Sequence, residues 1–183
     1  MFGIDTSRDL LAKLEADFAD YAKEPASGRL ALNCAMTAYH MHEWVWGDWL
    51  KTDNAVRKAL GIRDVETFLA WIDRECPWFP VVQGLTNGAK HFIPNQPVQA
   101  LRVGAPPLIL DTPGCGLGEG ALDGPIPYVT DGKEFLLLDF GPEAAEYRWI
   151  PAAMLLEVVV RFWREVFEKY APTPSNSCPA KER

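Results

Sequence analysis

The chain has 183 residues, 48% of them apolar and 23% charged, which suits one globular domain with a full hydrophobic core. Eighteen Lys and Arg against twenty-five Asp and Glu leave a formal net charge of -7, which opposes extended non-specific binding to nucleic acid and leaves room only for a small basic pocket. Cys34, Cys76, Cys115 and Cys178 are widely spaced, with no Cys-x-x-Cys, so a disulfide-stapled scaffold is excluded; together with an N-terminus lacking a signal-peptide pattern, they make a reducing cytoplasm the expected location.

In chain order, a first helix is predicted from Asp5 or Thr6, either of which can cap it, with Leu10, Leu11, Leu14, Phe18 and Tyr21 on one face. Pro25, Ser27 and Gly28 end it. Residues 29–50 follow as a second helix, apolar almost all round, which requires neighbours on several sides and makes it the spine of the fold. Asn33, His40, His42, Glu43 and Asp48 argue against reading that stretch as a membrane span, and no membrane association is expected. A short helix capped by Asp53 runs to Leu60, another covers about residues 64–75, and Pro80 can occupy the first turn of a helix carrying Val81, Val82 and Leu85.

Helical periodicity is lost over residues 94–140, where strand-like runs alternate with Pro- and Gly-rich turns. Asp131-Gly132 between Tyr128 and Phe135 predicts a two-residue hairpin turn. The glycine-rich stretch at residues 112–124 lacks Gly-Lys-Ser/Thr and reads as a connection rather than a phosphate cradle. A last helix starts near Pro151, with Glu157/Arg161 and Glu165/Lys169 as outward pairs worth ~0.3 kcal/mol each. The expected fold is therefore mainly α: a bundle of five or six helices in one domain over residues 1–170, with a small antiparallel β-hairpin or sheet insertion at about 94–140 and a disordered tail over 171–183.

All three histidines sit in two polar islands, residues 38–44 (Ala-Tyr-His-Met-His-Glu-Trp) and 87–92 (Asn-Gly-Ala-Lys-His-Phe). Buried polar groups are costly without partners, so such islands in apolar helices mark either a hydrogen-bonded core network or a site. On the later helix Gly84, Asn87, Gly88 and His91 share a face; on the spine Asn33, Thr37, His40 and Trp44 do, with His42 turned nearly opposite. The simplest packing sets the Gly84/Gly88 face against the spine and gathers His91, Asn87 and His40 into one cluster with Glu43 near by.

The Thr-Asn-Gly-Ala-Lys-His stretch at residues 86–91 resembles the Arg-Asn-x-x-x-His motif of HEPN domains, a match of about six residues. The Ala-Tyr-His-x-x-Glu-Trp and Asn-Gly-x-Lys-His-Phe pair is also similar to small proteins of bacteria and their prophages. The HEPN resemblance implies an all-helical bundle, homodimerisation, and RNA binding or metal-independent RNA cleavage without a cofactor. His91 then stands where the family has its catalytic histidine and Asn87 where it has the motif's polar residue, with Lys90 as a phosphate contact and His40 beside them. Thr86 occupies the place of the motif's Arg, so the cation that would stabilise the phosphorane is missing from its usual position.

Imidazole titrates near neutrality, which suits His91 to general acid-base work. Tyr39, Trp44, Trp46 and Trp49 are candidates for base stacking or for the core, and the tryptophans offer surfaces for a dimer. Two other readings stay open. His40, Glu43 and His91 have the ligand types for a zinc-like ion in a metal-dependent hydrolase. The acidic balance and Thr86 suit a non-catalytic module that meets a protein partner.

Overall fold

The computed structural model describes residues 3–90, 99–103, 134–140 and 149–172. Thr6 starts α1 (Ser7–Lys23) through a capping box: its hydroxyl accepts from Asp9 N, and the Asp9 carboxylate accepts from Thr6 N at 2.9 Å. Such a cap is worth about 1 kcal/mol. Ser27 caps α2 (Gly28–Val45), Asp53 caps α3 (Asn54–Leu60), and Asp64 with Thr67 forms a second capping box on α4 (Val65–Glu75). Gly61 ends α3 at φ 72, a conformation that costs glycine little because it has no Cβ. Two further helices, α5 (Phe79–Lys90) and α6 (Ala152–Tyr170), make six among the described residues, within the five or six expected.

The spine does not run to residue 50 as one α-helix. It ends at Val45 and continues as a π-helical turn, Trp46–Leu50, in which Lys51 N donates to Trp46 O. The Asp48 carboxylate accepts from Ser7 N at 2.8 Å and from Ser7 Oγ at 2.6 Å, tying the end of the spine to the start of α1.

Three short strands form an antiparallel sheet in the order β1 (Gln99–Val103), β2 (Phe135–Asp139), β3 (Trp149–Pro151), with Leu101 opposite Leu137 and Leu138 opposite Ile150. The expected β element is therefore present, but it reaches past residue 140: β3 immediately precedes α6 and is too short to leave an alternating pattern. Phe135, Leu136, Leu137 and Leu138 are all buried, as expected of a central strand covered on both faces. Leu136 N donates to the Pro25 carbonyl, which also accepts from the buried Tyr21 hydroxyl, so the α1–α2 turn fastens the sheet to the helices. The predicted turn at Asp131-Gly132, the glycine-rich stretch with Cys115, and the tail beyond Pro172 lie outside the described residues.

One buried cluster joins α1, α2, α4, α5, α6 and the sheet around Leu14, Met41, Phe68, Phe79, Leu155 and Trp163. As the sequence implied for the spine, α2 packs against α1, α5 and α6. Of the seven tryptophans, Trp49, Trp71 and Trp163 are buried and Trp44, Trp46, Trp78 and Trp149 are half-buried, while Met36 is the one exposed large apolar side chain among the described residues. Trp49 is buried and meets Phe167 edge-on, while the half-buried Trp46 stacks on Phe68 at the edge of the core. No helix among the described residues is long and apolar enough to cross a membrane.

Candidate functional site

The structure separates Asn87 from His40 and Glu43, which helix periodicity had gathered into one cluster. On α2, Tyr39 and His42 face α5, with ring centroids 5.8 and 6.0 Å from that of Phe79, and Gln83 Nε2 donates to the Tyr39 hydroxyl at 3.2 Å. Further along α5, Leu85 shares a cavity wall with Gly28, Ala31 and Leu32 at the opposite end of α2. The two helices are therefore antiparallel. Asn87, eight residues beyond Phe79, lies about 12 Å further along the α5 axis, away from residues 38–44.

The expected packing face is also different. Gly84 is exposed, and a Cβ built there would meet nothing within 4 Å, while Asn87 is exposed beside it. Phe79, Val82 and Thr86 form the buried face instead, because three- and four-residue spacing selects the aromatic and aliphatic side chains for the core. Thr86, at the place of the motif's Arg, is 4% exposed, and its hydroxyl has no hydrogen-bond partner among the described residues. His91 and the Lys90 side chain lie outside the described residues.

His42 carries the chemistry of the first island that the interior can hold. It is 4% exposed, and its Nδ1 pairs with the Tyr39 carbonyl, an acceptor that requires the proton on Nδ1. Burial pushes its pKa below the ordinary 6.5, outweighing the opposite pull of that hydrogen bond and of Glu43. Above pH 6.5 both folded and unfolded states keep it neutral; as pH falls below that value the unfolded chain takes up a proton that the folded one resists. Stability should therefore decline on acidification from about pH 6.5, and His42→Phe should flatten that part of a pH series of melts. An unchanged slope in the variant would contradict a neutral, buried His42.

His40 points to the other side. Its Nδ1 lies 3.2 Å from the Glu43 carboxylate on an exposed surface, and it lines a groove of about 290 Å³ between α1 and α2 with Lys13, Asn33, Met36, Thr37 and Trp44. Within the groove Lys13 Nζ lies 2.5 Å from Asp17 and donates to the Thr37 hydroxyl, which stands 2.7 Å from the Asp17 carboxylate. The Asn33/Thr37/His40/Trp44 stripe was readable from spacing; the Lys13–Asp17 pair that meets it was not singled out, though four-residue charge pairing is its signal.

Cys34 and Cys76 are fully enclosed thiols, pushed up to about 12 and about 11 by desolvation, with Asp17 adding to the shift at Cys34. A thiol so rarely ionised is a filler of the core, not a nucleophile. Among the described residues no group of three His, Cys, Asp or Glu side chains is placed to hold a metal ion; of the triad His40, Glu43 and His91, the first two form the surface pair above and the third lies outside those residues. Comparison with protein-family models, with curated proteins and with solved structures gave no match.

Proposed function

We propose that the protein is a HEPN-like RNA-binding protein whose contact edge is the last turn of α5 and the segment that follows it, Asn87, Lys90 and His91, and not a cluster that includes His40. The observation that carries this reading is the exposure of Asn87 on a helix whose remaining polar residue in the motif, Thr86, is buried. An exposed amide at the end of a rigid helix is free for a ligand, whereas a polar residue recruited to a core network would be covered. The antiparallel packing supports the same edge: it sets the last turn of α5 at the end of the bundle where α2 begins and Arg29 is exposed. A helix start and a guanidinium together favour phosphate, against the net negative charge of the whole chain.

Binding, not cleavage, is the activity proposed. Thr86, at the place of the motif's Arg, is enclosed, so the motif's own cation for stabilising a pentacovalent phosphate is missing from its usual position. Fluorescence anisotropy with a short single-stranded RNA tests this. Binding that weakens with salt, falls at least tenfold in Asn87→Ala and Arg29→Glu, and leaves the RNA intact is the expected result. Equal affinity in both variants would remove the edge from the account, and RNA cut by wild type but not by His91→Ala would restore catalysis. A protein partner is the second reading, favoured by the exposed Met36 in the α1–α2 groove that Trp44 also lines, since an exposed methionine is suited to an adaptable apolar contact.

A further inference from the structure

We infer that the cleft lined by α2, α5, α6 and β2 is a binding site for an aliphatic chain. The cleft has a volume of about 210 Å³, and every described residue lining it is Gly, Ala or Leu. Its floor is fully interior, with Ala35, Leu138 and Leu155 between 0% and 2% exposed. Its rim is open to solvent at Gly28 and partly so at Ala31 and Leu85. It is thus a cleft that reaches solvent, not a sealed packing fault.

Water does not settle a cavity of this lining, because an ordered water needs two to four polar partners. Left empty, the walls lose their dispersion contacts, and close packing would draw the helices together. The small side chains of Gly28, Ala31 and Ala35 on α2 and Ala152 on α6 leave the space that an occupant would fill. Size and lining select the occupant. The volume exceeds the ~150 Å³ that admits a benzene ring, and at ~30 Å³ for each water-sized group it accommodates a chain of about seven carbons. No aromatic side chain among the described lining residues offers a ring a stacking partner, and no polar side chain orients a functional group, so aliphatic methylenes are the chemistry that the walls recognise. This site is independent of the RNA-binding edge on α5.

Isothermal titration of the full chain with n-alkanols from butanol to decanol tests the inference. Saturable one-to-one binding is expected, with affinity rising about fourfold per methylene, the ~0.8 kcal/mol of one buried CH₂, and levelling off at about seven carbons. Ala35→Leu fills the floor and should abolish binding while the melt shows a folded protein. Should that variant fail to fold, Ala31→Leu at the half-buried rim narrows the opening and serves instead. Absence of saturable binding, a rise that continues unbroken to decanol as for surface partitioning, or undiminished affinity in the folded variant would each overturn the proposal.

Discussion

Trp163→Ala should destabilise the fold by about 4 kcal/mol, the range found when a fully buried aromatic is removed from a core that relaxes only in part. Trp163 is 0% exposed, and its ring meets Phe79 at 6.0 Å and Phe162 at 5.1 Å between centroids. Its indole Nε1 donates to the Ala38 carbonyl of α2 at 3.0 Å, so one side chain joins α6 to the spine by both packing and a hydrogen bond. Trp163→Phe keeps much of the apolar volume and loses the donor, and should cost about 1–2 kcal/mol. Urea denaturation of both variants separates the two contributions; equal losses would mean that the hydrogen bond, not the ring, dominates. Against a total stability of about 5–15 kcal/mol, the Ala variant should lie close to the limit of folding.

Phe79→Ala has the second largest expected effect, a loss of about 3–4 kcal/mol. Phe79 is 0% exposed at the first position of α5, and its ring is the meeting point of Tyr39, His42 and Trp163. Pro80 follows it in the first turn of the helix, where its missing N–H leaves no intrahelical bond unmade, so the ring is the main anchor of this end. Hydrogen exchange should then rise in α5 ahead of α1 and α2, since the helix loses its anchor and not its neighbours' packing. Because Phe79 and Trp163 touch, the double variant should fall short of additivity by about 1 kcal/mol. Full additivity would show that the two rings stabilise separate parts of the molecule.

Most helices were readable because their signals are local. Thr6, Asp53 and Asp64 announce helix starts, and Leu10, Leu11, Leu14 and Tyr21 fall on the face that is in fact buried. The π turn at Trp46–Leu50 was not readable, since it depends on Asp48 reaching Ser7 across 41 residues. Strand β3 is three residues long and takes its place from pairing with β2, a tertiary fact without a periodic trace. The candidate site fared differently. Helix spacing correctly put His40 and His42 on opposite faces, but it says nothing about the direction in which a second helix crosses the first. Glycines at 84 and 88 suggested close approach; Phe79, Val82 and Thr86 offered more apolar surface and took the interface instead.

The central claim is that Asn87 and His40 do not meet: Tyr39 and His42 belong to the α2–α5 interface, and Asn87 lies further along α5, away from them. The distance between residues 40 and 87 tests it most directly. Spin labels on His40→Cys and Asn87→Cys, in a chain whose Cys34, Cys76, Cys115 and Cys178 are replaced by Ala, report it by pulsed electron paramagnetic resonance. An axial offset of about 12 Å with helix axes 8–10 Å apart gives backbones separated by about 15 Å or more once label length is subtracted. A separation below about 10 Å would place Asn87 and His40 in one cluster and contradict the account.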